Sequence, residues 1–300
     1  MLGDSYLSAT TDVVRDELGR FNRPGLRRLH ELLASGEGIG FLGAGVSAPA
    51  YPLWTPLINE LVEAAEGEGL DSSAAATCRA QAALQPDAVV EILRQRMGAS
   101  RYDGLLRWLF RVRRDPITGR SWNAKHEAIC RLKLRGLITT NYDPGIVDAR
   151  TWVRQRASST EFTSWSDDGG LERWITGDVL KEVELPVLFA HGYHSRPSEI
   201  VLAASDYRRA YAGRLGDYLA QVFRSGHIAW IGFSFGDPQI NALLRAVANH
   251  ARTDRVPVRE PRHVAVMPWN PQAGDPQTLR SMSEIEYGSE LVLYPTINGD

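Results

Sequence analysis

The stretch from Gly38 to Ser47 reads GIGFLGAGVS, and its reading decides the fold. Ile39, Phe41 and Leu42 are apolar and β-prone, and then Gly43, Ala44 and Gly45 strip the chain of side chains. A buried strand running into bare backbone, with a hydroxyl behind it at Ser47, is the layout of an anion-holding turn. Glycine lets backbone N–H groups approach a phosphate with no Cβ in the way, and successive N–H groups form a concavity around it.

The spacing Gly43, Gly45, Ala48 fits the G-x-G-x-x-A of a dinucleotide turn. Pro49, Pro52 and Pro56 prevent a long helix from starting at Ser47, so the helix dipole adds little. No second strand ending in Asp or Glu follows about 20 residues on, which argues against an ordinary dehydrogenase.

Five more segments read as buried strands: 136–140 (GLITT), 186–192 (PVLFAHG), 227–233 (HIAWIGF), 262–267 (RHVAVM) and 290–295 (ELVLYP), with 199–204 (EIVLAA) as a weaker candidate. Each is nearly continuous in apolar residues, the pattern of strands covered on both faces of a parallel sheet. Amphipathic helical patterns lie between them. Leu26, Leu29, Leu32 and Leu33 share one face and stop at Gly36; Thr55 and Pro56 open another helix, and Asp237 and Pro238 a third. The expected fold is therefore α/β, a Rossmann-like parallel sheet with helices on both faces. Residues 72–132, rich in Ala, Leu and Arg, read as an inserted small helical subdomain. The expected organisation is N-terminal helices over 1–37, a nucleotide-binding domain from 38–71 and 133–300, and the insertion between. The chain stops just after its last strand, which reads either as a natural end or, the favoured expectation, as the N-terminal part of a longer protein.

Composition narrows the function. The chain has 300 residues and a formal charge of −2, with no basic excess to suggest nucleic acid as the main partner. Four arginines do cluster at Arg107, Arg111, Arg113 and Arg114, which reads as a solvated helix end. The two cysteines, Cys78 and Cys130, form no C-x-x-C pair, so neither a structural zinc site nor a disulfide framework is expected, in keeping with a cytoplasmic protein. No apolar run reaches the length of a membrane span.

Three strand candidates end in polar residues, at the carboxyl edge where open α/β sheets bind ligands. The first delivers Thr139, Thr140, Asn141 and Asp143; the second His191 and Gly192; the third Gly232, Ser234, Gly236 and Asp237. Taken singly, an Asx turn into Pro144–Gly145 or a structural histidine explains them; together with the glycine turn they point to one ligand.

The ordered set GAGVS, TTNYD, HG and IGFSFGD resembles the sirtuin fold, and more closely the sirtuin-like NAD-consuming domains of bacterial anti-phage defence systems, over roughly residues 36 to 296. The resemblance implies that Gly43, Ala44, Gly45 and Ser47 line the phosphates of NAD. It places Asn141 and Asp143 near the nicotinamide and its ribose, with Thr140 where sirtuins carry glutamine. His191 matches the catalytic histidine, and Gly232 and Ser234, with Asp237 close behind, match the second phosphate-and-ribose turn. The four-cysteine zinc module of deacetylating sirtuins is missing, and their loop after the glycine turn is replaced by APAYPLWTPL. The resemblance thus favours an NAD glycohydrolase acting without a metal, within an oligomer or beside a sensor domain. A protein deacylase, an ADP-ribosyltransferase and a non-catalytic NAD or ADP-ribose sensor are the alternatives.

Overall fold

The computed structural model describes residues 18–82, 84–155, 162–253, 262–270 and 274–295. Residues 1–17 of the N-terminal stretch expected to be helical lie outside them. Seven strands, β1 (Ile39–Leu42), β2 (Gly136–Thr139), β3 (Phe162–Ser164), β4 (Val187–Phe189), β5 (Ile228–Ile231), β6 (His263–Trp269) and β7 (Ser289–Pro295), form one sheet in the order β3-β4-β2-β1-β5-β6-β7. The pairs β2–β4, β3–β4, β5–β6 and β6–β7 are all parallel. Every residue of β1, β2 and β4 is buried, as the unbroken apolar runs require of strands covered on both faces. The fold is the expected Rossmann-like α/β sheet. β3 is the strand the sequence hides, while 199–204 is not a strand: it is a short 3-10 turn over Pro197–Glu199 followed by buried irregular chain.

The chain divides into two compact units, residues 1–41 with 220–300, and residues 42–219. In the first, Phe41 packs its ring on Phe223, Trp230 and Phe233 with centroids 4.6 to 6.0 Å apart. Helix α1 (Arg23–Ser35) carries proline in its first turn and ends on Gly36 in the left-handed conformation, the asymmetry expected of helix ends. Just before it, Asn22 treats the outermost strand as a neighbouring strand would: its Nδ2 donates to the Leu293 carbonyl at 2.7 Å and its Oδ1 accepts from the Leu293 N–H at 2.8 Å. Both backbone groups of an edge position are thereby paired. His263 at the start of β6 is buried and neutral, its Nδ1 accepting from the Ile228 N–H at 3.3 Å and its Nε2 donating to the Phe223 carbonyl at 3.1 Å. Burial pushes its pKa down to about 4.

In the second unit, α2 (Ala44–Ser47) and α3 (Trp54–Gly67) follow β1, and α4 (Ser72–Gln81), α5 (Pro86–Met97) and α6 (Ala99–Leu109) occupy the stretch read as an insertion. One apolar core joins Leu57, Leu61, Val90, Leu93 and Phe110 to Tyr142 and Leu202. Helices α7 (Ala124–Arg131) and α8 (Gly145–Arg154) flank β2 in the chain.

Candidate active site

Local sequence builds the site in four steps. Helix α2 is one turn long: the Val46 N–H reaches the Gly43 carbonyl at 3.0 Å and the Ala48 N–H the Ala44 carbonyl at 3.1 Å, after which the chain leaves in extended conformation. Ser47 faces inward from that turn and is buried. Next, β2 lies against the end of β1, with the Thr140 N–H donating to the Leu42 carbonyl at 3.1 Å. That contact sets Asn141 beside the glycine turn, where its Nδ2 donates to the Gly43 carbonyl and to Ser47 Oγ, each at 3.0 Å. Asp143 then closes an Asx turn, its Oδ1 accepting from the Gly145 N–H at 2.9 Å while its Oδ2 takes the Ser47 hydroxyl proton at 2.6 Å.

His126 is the fourth member, and sequence reasoning missed it. Asn123 caps α7 by accepting from the His126 N–H at 3.1 Å, and the imidazole Nδ1 accepts in return from the Asn123 N–H at 3.3 Å. The ring therefore carries its proton on Nε2 and donates it to Ser47 Oγ at 3.3 Å. Burial holds the imidazole below the usual histidine range, against the pull of Asp143, whose Oδ1 is 4.0 Å away. Gly145 makes room for the ring, since a Cβ there would lie 2.9 Å from Nε2. Although serine, histidine and aspartate meet here, this is no nucleophilic triad: the carboxylate binds the serine, and the histidine Nδ1 faces a backbone N–H instead of an acid. An asparagine followed three positions later by a side chain able to reach back is the one signal that marks His126 in the sequence.

Lys125 was missed as well. Its Nζ donates to the Gly45 carbonyl at 2.6 Å, setting an ammonium beside the glycine turn, and partial burial lowers its pKa.

His191 reaches the same edge by the next strand. β4 pairs with β2 in the register Thr139↔Phe189, and the Ala190 N–H donates to the Thr139 carbonyl at 2.9 Å, so Asn141 and His191 each stand two residues beyond a paired position. His191 is buried, its Nε2 lies 2.8 Å from the Tyr211 hydroxyl, and Tyr207 packs edge-on at 5.3 Å. Gly192 is obligatory: its φ is 88°, and a Cβ would sit 2.3 Å from the Glu199 carbonyl oxygen. His194 packs on Tyr193 with centroids 4.3 Å apart, and burial lowers its pKa.

Hydrogen bonds thus bring together Gly43, Ser47, Asn141 and Asp143, and sheet register sets Thr140 and His191 along the same edge. Gly232, Ser234 and Asp237 belong to the other unit. There Gly232 takes a φ of 62°, Ser234 is exposed, and Asp237 caps the helix Pro238–Thr253 by accepting from the N–H groups of Gln239 at 3.0 Å and Ile240 at 2.8 Å. Among the described residues, no group of three or more His, Cys, Asp or Glu is placed to hold a metal ion. Cys78 and Cys130 are both free and buried, and no described helix is long and apolar enough to cross a membrane.

A parallel sheet with a glycine turn and a buried polar cluster at its strand ends defines a Rossmann-like nucleotide domain. The family of SIR2-like domains matches residues 135–287, just over half of the chain, and the chain belongs to that family. SIR2-like domains bind NAD and form an NAD-dependent enzyme superfamily. No curated protein matches the chain.

Proposed function

We propose that the protein is an NAD glycohydrolase, cleaving NAD to nicotinamide and ADP-ribose, with Asn141, Asp143 and His191 at the scissile bond. The observation that carries this reading is the single Ser47 hydroxyl shared by Asn141 and Asp143 directly behind the glycine turn. Both amide protons of Asn141 are spent on Gly43 and Ser47, which fixes its half-buried carbonyl oxygen as an acceptor for a water or a ribose hydroxyl. Gly43, Ala44 and Gly45 offer backbone to the phosphates, with Thr140 alongside.

In the reaction, the bond from ribose C1′ to the pyridinium nitrogen breaks with its electron pair passing to the ring, so nicotinamide leaves neutral. Water attacks C1′ and gives up a proton. Asn141 orients that water, Asp143 stabilises the developing positive sugar, and His191, with the Tyr211 hydroxyl at its Nε2, receives the proton. The absent cysteine module and the unlike loop after Ala48 favour hydrolysis over acyl-lysine chemistry. The setting we infer is a bacterial cytoplasm, where the enzyme depletes NAD during phage infection under the control of an oligomer or a sensor domain.

Incubation of the purified protein with NAD, followed by chromatography, tests the reading: free nicotinamide and ADP-ribose appear without added peptide. Nicotinamide release only in the presence of an acylated peptide would assign a deacylase or transferase. Tight NAD binding with no product would leave a sensing module.

A further inference from the structure

The segment from Arg107 to Arg120, RWLFRVRRDPITGR, holds five arginines against one acid. In a chain whose overall charge is −2, this is a local excess, and the structure shows how little of it is neutralised. Arg120 pairs with Glu127 at 3.2 Å. Asp115 is consumed by its own turn, accepting from the N–H groups of Ile117 at 3.0 Å and Thr118 at 2.6 Å. Among the described residues, Arg111, Arg113 and Arg114 donate to backbone carbonyls alone, those of Trp108, of Ala50 and Leu109, and of Gly119. Among the described residues, none of Arg107, Arg111, Arg113 and Arg114 forms an ion pair. Trp108 is 53% exposed, and the Arg111 guanidinium lies over one face of its ring at 4.5 Å.

We propose that this surface binds single-stranded nucleic acid. A flat indole backed by a guanidinium offers its open face to a base, and the flanking guanidiniums meet the phosphates, the combination that sequence-tolerant single-strand binders use. Acidic polypeptide would satisfy the charges but gives the indole face no planar partner. The surface is also tied to the chain that leaves the glycine turn. The Tyr51 hydroxyl accepts from the Arg113 N–H at 2.9 Å and donates to the Arg111 carbonyl at 3.3 Å, and Arg113 Nη1 holds the Ala50 carbonyl at 3.0 Å. A strand seated on the arginines therefore acts on the segment that follows Ser47.

The test is fluorescence anisotropy of a labelled single-stranded oligonucleotide with the purified protein, a binding measurement that does not depend on NAD cleavage. With about four phosphates neutralised, the slope of log affinity against log salt is about −3, so affinity falls tens of fold between roughly 50 and 200 mM salt. Trp108→Ala lowers affinity about 5- to 150-fold with the salt slope unchanged, the signature of lost stacking. The triple change Arg107→Glu, Arg111→Glu, Arg114→Glu, at exposed positions, abolishes binding while the melting temperature holds. The proposal is overturned if the wild-type protein ignores the oligonucleotide at low salt, or if the variants bind as the parent does. It is equally overturned if polyglutamate displaces the oligonucleotide at matched charge, which would assign the surface to an acidic protein.

Discussion

The Ser47 hydroxyl donates to the Asp143 carboxylate at 2.6 Å across 96 positions of sequence. Through that bond the turn after β1 and the loop after β2 become one object, because Asn141 and His126 direct their donors at the same oxygen. Ser47→Ala leaves the Asp143 oxygen and the Asn141 amide each short of a partner. The expected result is a stability loss of about 1–3 kcal/mol by chemical denaturation, together with nicotinamide release reduced well beyond the unfolded fraction. Activity equal to the parent would show that the cluster is structural only.

Asn141→Ala and His191→Ala are each expected to abolish NAD loss while far-ultraviolet circular dichroism stays native. For His191 the general-base contribution is roughly 10²–10⁴-fold in kcat. Tyr211→Phe removes the hydroxyl at His191 Nε2 but keeps the ring. It should lower kcat with little change in KM in steady-state assays.

Lys125→Ala withdraws the ammonium held at the Gly45 carbonyl. If that charge steadies the substrate phosphates, KM for NAD rises several-fold and kcat stays near the parent value in steady-state assays. Lys125→Arg should recover part of the loss. An unchanged KM removes Lys125 from the substrate contacts.

His263 gives a pH dependence of known sign. Its folded pKa is lowered by burial to about 4, while the unfolded chain protonates it near the ordinary histidine value of about 6.5. Above both values neither state binds the proton and stability is unaffected. As pH falls from about 6.5 towards about 4 the unfolded state binds a proton the folded state refuses, so stability is lost, by roughly 3 kcal/mol in all. Denaturant midpoints measured across that window should fall for the parent protein and fall less for His263→Gln.

Asn22→Leu deletes both hydrogen bonds to Leu293 on the outermost strand. The expected outcome is a lower melting temperature and a concentration-dependent increase in light scattering, because an uncovered strand edge pairs with other chains.

Much of the fold was legible because buried parallel strands leave continuous apolar runs: β1, β2, β4, β5, β6 and β7 all fall within or beside the segments read as strands. β3 left no such run, since Phe162–Ser164 is three residues long and ends in two polar ones. Residues 199–204 misled in the opposite direction. They are apolar because they are buried, with Ile200, Val201, Leu202 and Ala203 all at 2% exposure or less, yet they join no strand ladder. At the site, Ser47, Asn141, Asp143 and His191 were readable because each follows a strand and breaks an apolar run. His126 and Lys125 were not, because they sit in the first turn of a helix, 79 and 80 positions from the residues they touch. Tyr211, at the end of the helix Ala204–Tyr211, lies on an amphipathic helix where an aromatic residue reads as core.

Tyr142 stands between Asn141 and Asp143 but turns away from both, its hydroxyl on the Val201 carbonyl at 2.8 Å and its ring against Phe110 at 4.4 Å. The separation between amide and carboxylate is thus gauged by an aromatic peg driven into the helical layer. Repacking around Phe110 would retune the chemistry from a distance, with no reacting group replaced.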